Sequence, residues 1–176
     1  MTEKYVRSIS RQLLGQLCHA NGPALELAES VDTSNGKPID GVRLLWALCG
    51  VESSFGANMA PRHEPSWDKG GALYTASTDL QEYIAKYPYD GACSYGPLQV
   101  MAYNLQPYTP EQLAADPALT FAASIKFFNH YVIEHWKDKT LHDICDTWNG
   151  GNPKAKISPA YTTHVVNYYN GGVVPC

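Results

Sequence analysis

Glu52 closes the stretch Val-Arg-Leu-Leu-Trp-Ala-Leu-Cys-Gly-Val-Glu-Ser-Ser-Phe, residues 42–55. Val42, Leu45, Leu48, Cys49 and Val51 or Glu52 recur at helical spacing, and Asp40 is positioned to cap the start. Both faces of that helix are nearly apolar, which predicts a buried element rather than a surface one. Its single carboxylate sits at the very end, before a loop with Gly56, Pro61 and Pro65. A carboxyl held there is partly desolvated; desolvation raises its pKa and keeps its proton, as a general acid requires. The plainer reading is a Glu that begins the solvent side of a loop, since charged residues are mostly exposed.

Two other chemistries have candidates. Gly91-Ala92-Cys93-Ser94 before a helix superficially resembles a nucleophile at a helix N-terminus, and His130, His135, His142 and His164 are available as partners. These histidines fall on predicted helices without a surrounding motif. His130-Tyr131-Val132-Ile133-Glu134-His135 is one residue too long for the inverted zinc-protease pattern, and two His five apart do not share a helix face. No C-x-x-C pair occurs among the five cysteines, which weighs against a zinc ribbon; Cys18, Cys49 and Cys145 lie in apolar stretches and read as core thiols.

The bulk composition narrows the partners. With 44% hydrophobic and 17% charged residues over 176 positions, the chain reads as one globular domain, 1–176, able to bury a real core. A net charge of -4 without a basic patch argues against nucleic acid. No apolar run approaches the roughly 20 residues of a membrane span. The opening Met-Thr-Glu-Lys-Tyr-Val-Arg lacks the apolar core of a signal peptide, so cytoplasmic synthesis without a Sec signal is expected.

The elements that must position Glu52 are mostly helices. A first amphipathic helix is predicted over 2–20, capped by Thr2 and stopped by Asn21-Gly22-Pro23, and a short one over 23–30. After the Glu52 helix comes a long irregular segment, 56–76, with Arg62-His63-Glu64-Pro65 and Trp67; loops of that length inside a compact domain are usually functional. Further helices are predicted over 77–87, over 116–136 from an Asp116-Pro117 start, over 140–148, and over 158–169. No alternating strand pattern runs beyond a few residues. The expected fold class is mainly α.

Three stretches in order resemble the soluble lytic transglycosylase and goose-type lysozyme superfamily. Glu52-Ser53-Ser54-Phe55 resembles the family's Glu-Ser-Ser-Phe motif. Tyr95-Gly96-Pro97-Leu98-Gln99-Val100-Met101 resembles its Gly-Leu-Met-Gln signature, with Pro97-Leu98 in place of Leu-Met. Thr147-Trp148-Asn149-Gly150-Gly151 is similar to its Ala-Tyr-Asn-Ala-Gly element, and the helix 161–169 to the Tyr-containing helix that closes the family domain. The resemblance covers about 40–170. It implies a lysozyme-like domain in which Glu52 is the catalytic acid and Gln99, Met101, Trp148 and Asn149 line the cleft, with Ser54 and Tyr161 as further substrate contacts. Gln99 and Asn149 supply amides for sugar acetamido or hydroxyl groups, and Tyr95, Tyr103 and Trp148 supply stacking faces. The pattern has departures: Pro61 stands where these transglycosylases often carry Ser, and the Arg62–Pro65 insertion has no counterpart. Glu64 is either an internal ion-pair partner of Arg62 or a substrate contact.

The implied function is cleavage of the β-1,4 bond between N-acetylmuramic acid and N-acetylglucosamine in peptidoglycan glycan strands, by a monomer needing no metal or organic cofactor. Asp90 lies six residues before Gly96, where goose-type lysozymes carry an Asp proposed to position water. An inverting hydrolysis needs the two carboxyls about 6.5–9.5 Å apart. Without that base the muramyl hydroxyl closes on the anomeric carbon and gives a 1,6-anhydro product. Asp before Gly is also common in turns for local reasons. Delivery to the wall as a phage lysin, a virion enzyme or an exported effector is expected. The alternatives are a non-catalytic peptidoglycan-binding module and a Cys93-dependent wall peptidase or amidase.

Overall fold

The helix that ends in Glu52 forms because Asp40 Oδ1 accepts from the backbone N–H groups of Val42 and Arg43 at 2.9 and 3.1 Å, a cap worth about 1 kcal/mol. This helix, α2, spans Gly41–Ser53, and Leu44 through Gly50 are all buried, so the expected burial on both faces is found. The computed structural model describes residues 5–27, 30–32, 35–134, 140–151 and 158–176. Around α2 are α1 (Arg11–Asn21), α3 (Thr78–Lys86), α4 (Pro110–Ala115), α5 (Pro117–Phe128), α6 (Leu141–Gly150) and α7 (Pro159–Gly171), a mainly α architecture. α2 packs chiefly on α7 and α1, and one cluster of buried side chains runs from Leu14 to Tyr169. Cys18, Cys49 and Cys145 are buried in it as free thiols.

The first helix is shorter than expected. The expected cap, Thr2, lies outside the described residues; Ser10 takes the role, its side chain accepting from Leu13 N–H at 3.1 Å. Residues 5–9 form no helix because their backbone is bonded elsewhere. Val6 N–H goes to Ala114, Ile9 N–H to Gly56, and the Arg7 carbonyl receives Met59 N–H. Among the described residues of 23–30 there is no α-helix, only the end of one 3₁₀ turn, Gly22–Ala24. A two-residue hairpin follows, β1 (Val31–Asp32) with β2 (Lys37–Pro38).

A three-stranded antiparallel sheet went unseen in the sequence pattern: β3 (Arg62–His63), β4 (Cys93–Tyr95) and β5 (Val100–Met101), with β4 central. Its registers pair Arg62 with Ser94 and Ser94 with Met101. α4 was likewise unforeseen; its start is a reciprocal Thr109–Gln112 capping box. α5 begins where expected, Asp116 Oδ1 accepting from Ala118 and Leu119, but gives way at Asn129 to a π-helical turn, Asn129–Glu134. Residues 135–136, the expected end of that helix, lie outside the described residues. α3, α6 and α7 match their expected spans within about two residues. No helix among the described residues is long and apolar enough to cross a membrane.

Candidate active site

Glu52 stands in the last turn of α2, and the chain beyond it turns back sharply. Ser53 Oγ donates to the Cys49 carbonyl at 3.0 Å and accepts Gly56 N–H at 3.1 Å, tying off the helix end. Ser54 and Phe55 both take left-handed backbone, φ 52° and 59°. Such conformations cost non-glycine residues of order 1 kcal/mol or more each. The turn folds the Phe55 ring back onto Trp46 at 4.9 Å and Tyr168 at 4.8 Å. Phe55 thus locks the helix end, and Glu52 is held against α7.

The carboxyl is nearly enclosed, its side chain 10% exposed. Burial pushes its pKa above the ordinary carboxylate value. Three neighbours oppose that rise: the Tyr161 hydroxyl, which donates to Oε1 at 2.7 Å, the Arg62 guanidinium, whose Nη2 is 3.9 Å from Oε2, and the Trp148 indole N–H. Desolvation outweighs them. Tyr161 itself is pushed well above its usual range, by burial first and then by the Glu52 charge, so it stays a neutral donor. With Oε1 engaged by Tyr161, Oε2 is the oxygen left to carry a transferable proton.

Arg62 reaches Glu52 through the sheet. Pairing of β3 with β4 carries the long loop across the end of α2, and Glu64 Oε1 accepts from Arg62 Nε at 2.7 Å. The ion-pair reading of Glu64 is therefore the observed one. Next to it the His63 ring stacks on Tyr89 at 4.6 Å and bonds Asp68 at 2.9 Å, bracing the same loop. Gln99 sits at φ 48°, with Nε2 donating to the Gly96 carbonyl at 2.9 Å and Oε1 accepting from Ser94 Oγ at 3.0 Å. One N–H and one lone pair of the amide remain for a ligand.

The opposite wall comes from α5, the π-helical turn and α6. Tyr131, on the turn, stacks on Phe127 at 5.2 Å and donates to the Gly151 carbonyl at 2.9 Å, joining the two helices. Trp148 packs on Phe128 at 5.2 Å, and Gly151 closes α6 at φ 81°. A π-bulge adds a residue per turn and re-aims side chains, often at functional sites.

Between these walls is an open cavity of about 550 Å³, the size of a small-molecule site. Glu52, Gln99, Met101, Trp148 and Asn149 line it together with Arg62, Trp67, Leu73, Val100, Asn104, Phe127, Tyr131, Gly150 and Gly151. Of the sequence-predicted residues, Tyr161 lies behind Glu52 as its hydrogen-bond donor. Ser54 is exposed at the helix C-cap and is not part of the wall. Tyr95 is 1% exposed, its hydroxyl donating to the Asp90 carbonyl at 3.0 Å, so it offers no stacking face. Tyr103 faces a different hollow beyond Trp67. Asp90 is exposed, in the 3₁₀ turn Asp90–Ala92, and does not line the cavity; neither does Glu64. Trp67, Asn104, Phe127 and Tyr131 were missed. Trp67 alone carried a signal, an aromatic in an over-long loop; Tyr131 required the π-turn.

Cys93 is fully buried, its Sγ 3.5 Å from the Tyr89 carbonyl. Burial and then the nearby Asp90 push its thiol up to about 11, so it is a thiol at neutral pH. Among the described residues no three His, Cys, Asp or Glu side chains converge to hold a metal ion. Compared with known proteins, the chain matches no family model, no curated protein and no solved structure.

Proposed function

We propose that this chain is a lysozyme-like muramidase that cleaves the β-1,4 bond between N-acetylmuramic acid and N-acetylglucosamine in peptidoglycan glycan strands. One observation carries the reading: a buried carboxyl, raised in pKa, oriented by Tyr161, on the wall of an aromatic-lined open cavity. Glycosidic cleavage needs such an acid to protonate the leaving oxygen. Trp67, Trp148 and the stacked Phe127–Tyr131 pair offer apolar faces for sugar rings, and Asn104, Asn149 and the free positions of Gln99 offer amides for hydroxyl and acetamido groups.

In this mechanism the Glu52 Oε2 proton passes to the glycosidic oxygen as the bond from that oxygen to the muramyl anomeric carbon breaks. Arg62, 3.9 Å away, favours the carboxylate that results. Glu52 is the one carboxylate among the described residues of the cavity wall. Asp90 and Glu64 lie off the wall, which favours intramolecular capture over hydrolysis. The muramyl C6 hydroxyl then attacks the anomeric carbon, its proton goes to Glu52, and a 1,6-anhydro end forms while the acid is regenerated.

Mass spectrometry of soluble products from purified peptidoglycan tests this. Muropeptide ends lighter by one water are expected. Reducing ends would keep the muramidase and overturn the anhydro step, returning Asp90 as a candidate base. Products cut only in the peptide, or no products from folded protein, would overturn the muramidase reading in favour of a peptidase or a binding module.

A further inference from the structure

Arg62 stands between two carboxyls and is hydrogen-bonded to only one of them. Its Nε donates to Glu64 Oε1 at 2.7 Å, whereas its Nη2 stops 3.9 Å from Glu52 Oε2, beyond hydrogen-bond reach. The backbone sets this geometry. Arg62 pairs with Ser94 across β3 and β4, and its carbonyl accepts Ser94 Oγ at 3.3 Å. Glu64 N–H goes to the Ala92 carbonyl at 2.8 Å. Glu64 is extended, at φ -117° and ψ 95°, so residues 62 and 64 share one face of the strand while His63 stacks on Tyr89 from the other. With the main chain fixed, the freedom lies in the guanidinium, which is half-exposed on the cavity wall. Glu64 is not on that wall, so its carboxylate acts on Arg62 rather than on a ligand.

We propose that Glu64 is a positioning residue: it holds the Arg62 guanidinium off Glu52 while the acid carries its proton, and yields it as the carboxylate forms. The role of Glu52 as an acid rests on the muramidase reading. A guanidinium bonded directly to Glu52 would favour the ionised form before substrate arrives, and the acid would lose its proton. One held about 1 Å short of an N–H···O bond stabilises the transition state more than the ground state, and only that difference speeds the reaction. As the Oε2 proton passes to the glycosidic oxygen and the bond from that oxygen to the anomeric carbon breaks, charge appears on Oε2 and Nη2 closes on it. When the muramyl C6 hydroxyl returns its proton to Oε2, that charge is gone and Glu64 is again the stronger partner. Arg62 keeps its own protons throughout. The other groups facing Glu52 do not change partner. Tyr161 from α7 and the Trp148 indole from α6 donate to it, and the Cys49 thiol, one turn back in α2, stays neutral because burial pushes it well above its usual range. Glu64 also repels the Glu52 charge through space, an influence weaker than those of Tyr161, Arg62 and Trp148.

The test is the titration of Glu52 in the full chain, read by NMR from isotope-labelled glutamate carboxyls, with its signal assigned by the loss in Glu52→Gln. In Glu64→Met the Glu52 pKa should fall by about one unit, the low end of what an opposite charge within about 4–6 Å does to a carboxyl. Glu64→Gln keeps an acceptor for Arg62 Nε but no charge, so its fall should be smaller. Arg62→Met should raise the Glu52 pKa, and adding Glu64→Met to it should move the value no further. Amide spectra check that each variant keeps the fold. No fall in either Glu64 variant would overturn the proposal. An equal fall with and without Arg62 would overturn it too, because repulsion through space would then be the whole effect. The titration needs no substrate, so the expected shifts in a protein that cuts no glycan would sustain the control of Arg62 by Glu64 while removing the muramidase reading.

Discussion

Replacing Tyr161 by Phe removes one hydroxyl from the candidate acid and leaves the ring that packs against it. The lost bond is short, 2.7 Å to Glu52 Oε1, and its acceptor is buried. A hydrogen bond to a charged group contributes about 1.5–3 kcal/mol and one to a neutral group about 0.5–1.5 kcal/mol. Tyr161 can donate to Oε1 whether or not Oε2 carries a proton, so only the difference acts on the equilibrium, about 1–1.5 kcal/mol. At 1.36 kcal/mol per unit, the Glu52 pKa rises by about one unit in Tyr161→Phe. Arg62 pulls in the same direction as Tyr161 but more weakly. Its side chain is 54% exposed, its Nη2 is 3.9 Å from Oε2, and Glu64 shares its charge. Solvent screening cuts such an interaction to a fraction of its interior value. The assay is kcat/KM on a soluble peptidoglycan fragment against pH. The rate falls as pH rises through the Glu52 pKa, because the protonated form is the reactive one, and this limb reports the free enzyme. In Tyr161→Phe the limb should move up by about one unit, whatever happens to the maximal rate. A limb that stays in place, or moves down, would refute the assignment of Glu52 as the acid oriented by Tyr161.

Two further substitutions probe the acid and its frame. Glu52→Gln should lower activity by about 10²–10⁴-fold, the usual contribution of a general acid. It should also raise Tm at neutral pH. The folded pKa of Glu52 is raised, so the wild type loses stability as pH climbs from the ordinary carboxylate value through the folded one. Gln cannot ionise and should show no such loss. Equal Tm at neutral pH, or a gap that widens on acidification, would contradict the buried-carboxyl account. Gly96→Ala should destabilise by about 2 kcal/mol or more in urea unfolding. The new Cβ meets Thr120 Cγ2 at 2.5 Å, in a left-handed conformation that costs an L-residue about 1–2 kcal/mol. Thr120 cannot yield, because its Oγ1 bonds the Leu113 and Asp116 carbonyls at 2.7 and 2.9 Å. A change below about 0.5 kcal/mol would show that this turn relaxes freely.

What could be read from the sequence divides along the range of the interactions involved. The span of α2 and the place of Glu52 were legible because a cap and an apolar run are local signals, and Ser77 and Asp116 mark α3 and α5 in the same way. The sheet was not legible. Strands of two or three residues are too short to show an alternating period, and their pairing joins Arg62 to Ser94 across 32 positions. That pairing brings Arg62 to Glu52, so the guanidinium's role was invisible while its tie to Glu64, two residues away, could be guessed. The tyrosines failed for a related reason. Tyr95 and Tyr103 are both aromatic and near Gln99 in sequence, but β4 turns Tyr95 inward, and the 3₁₀ turn Ala102–Leu105 sends Tyr103 into the hollow beyond Trp67. Ser10 caps α1 because distant carbonyls and amides claim the backbone of Val6, Arg7 and Ile9 before it.

The three sequence stretches that suggested a function share a structural property the sequence only hints at. Each contains left-handed backbone beside the cavity: Ser54 and Phe55 after Glu52, Gly96 and Gln99 around the sheet turn, and Gly151 after Asn149. Three of these five are not glycine, so each stores strain of order 1 kcal/mol or more that the surrounding contacts must hold. Those contacts are visible: Phe55 against Trp46 and Tyr168, and the Gln99 amide between Gly96 and Ser94. A helix allowed to run on would carry the chain past the cavity. A sharp left-handed stop instead leaves Glu52, in the last turn of α2, and the last residues of α6 at its wall. Short motifs at helix ends are therefore informative out of proportion to their length. Few residue types tolerate the turn, and Glu52 and Asn149, each two residues before one, and Gln99, within one, are delivered to the cavity wall.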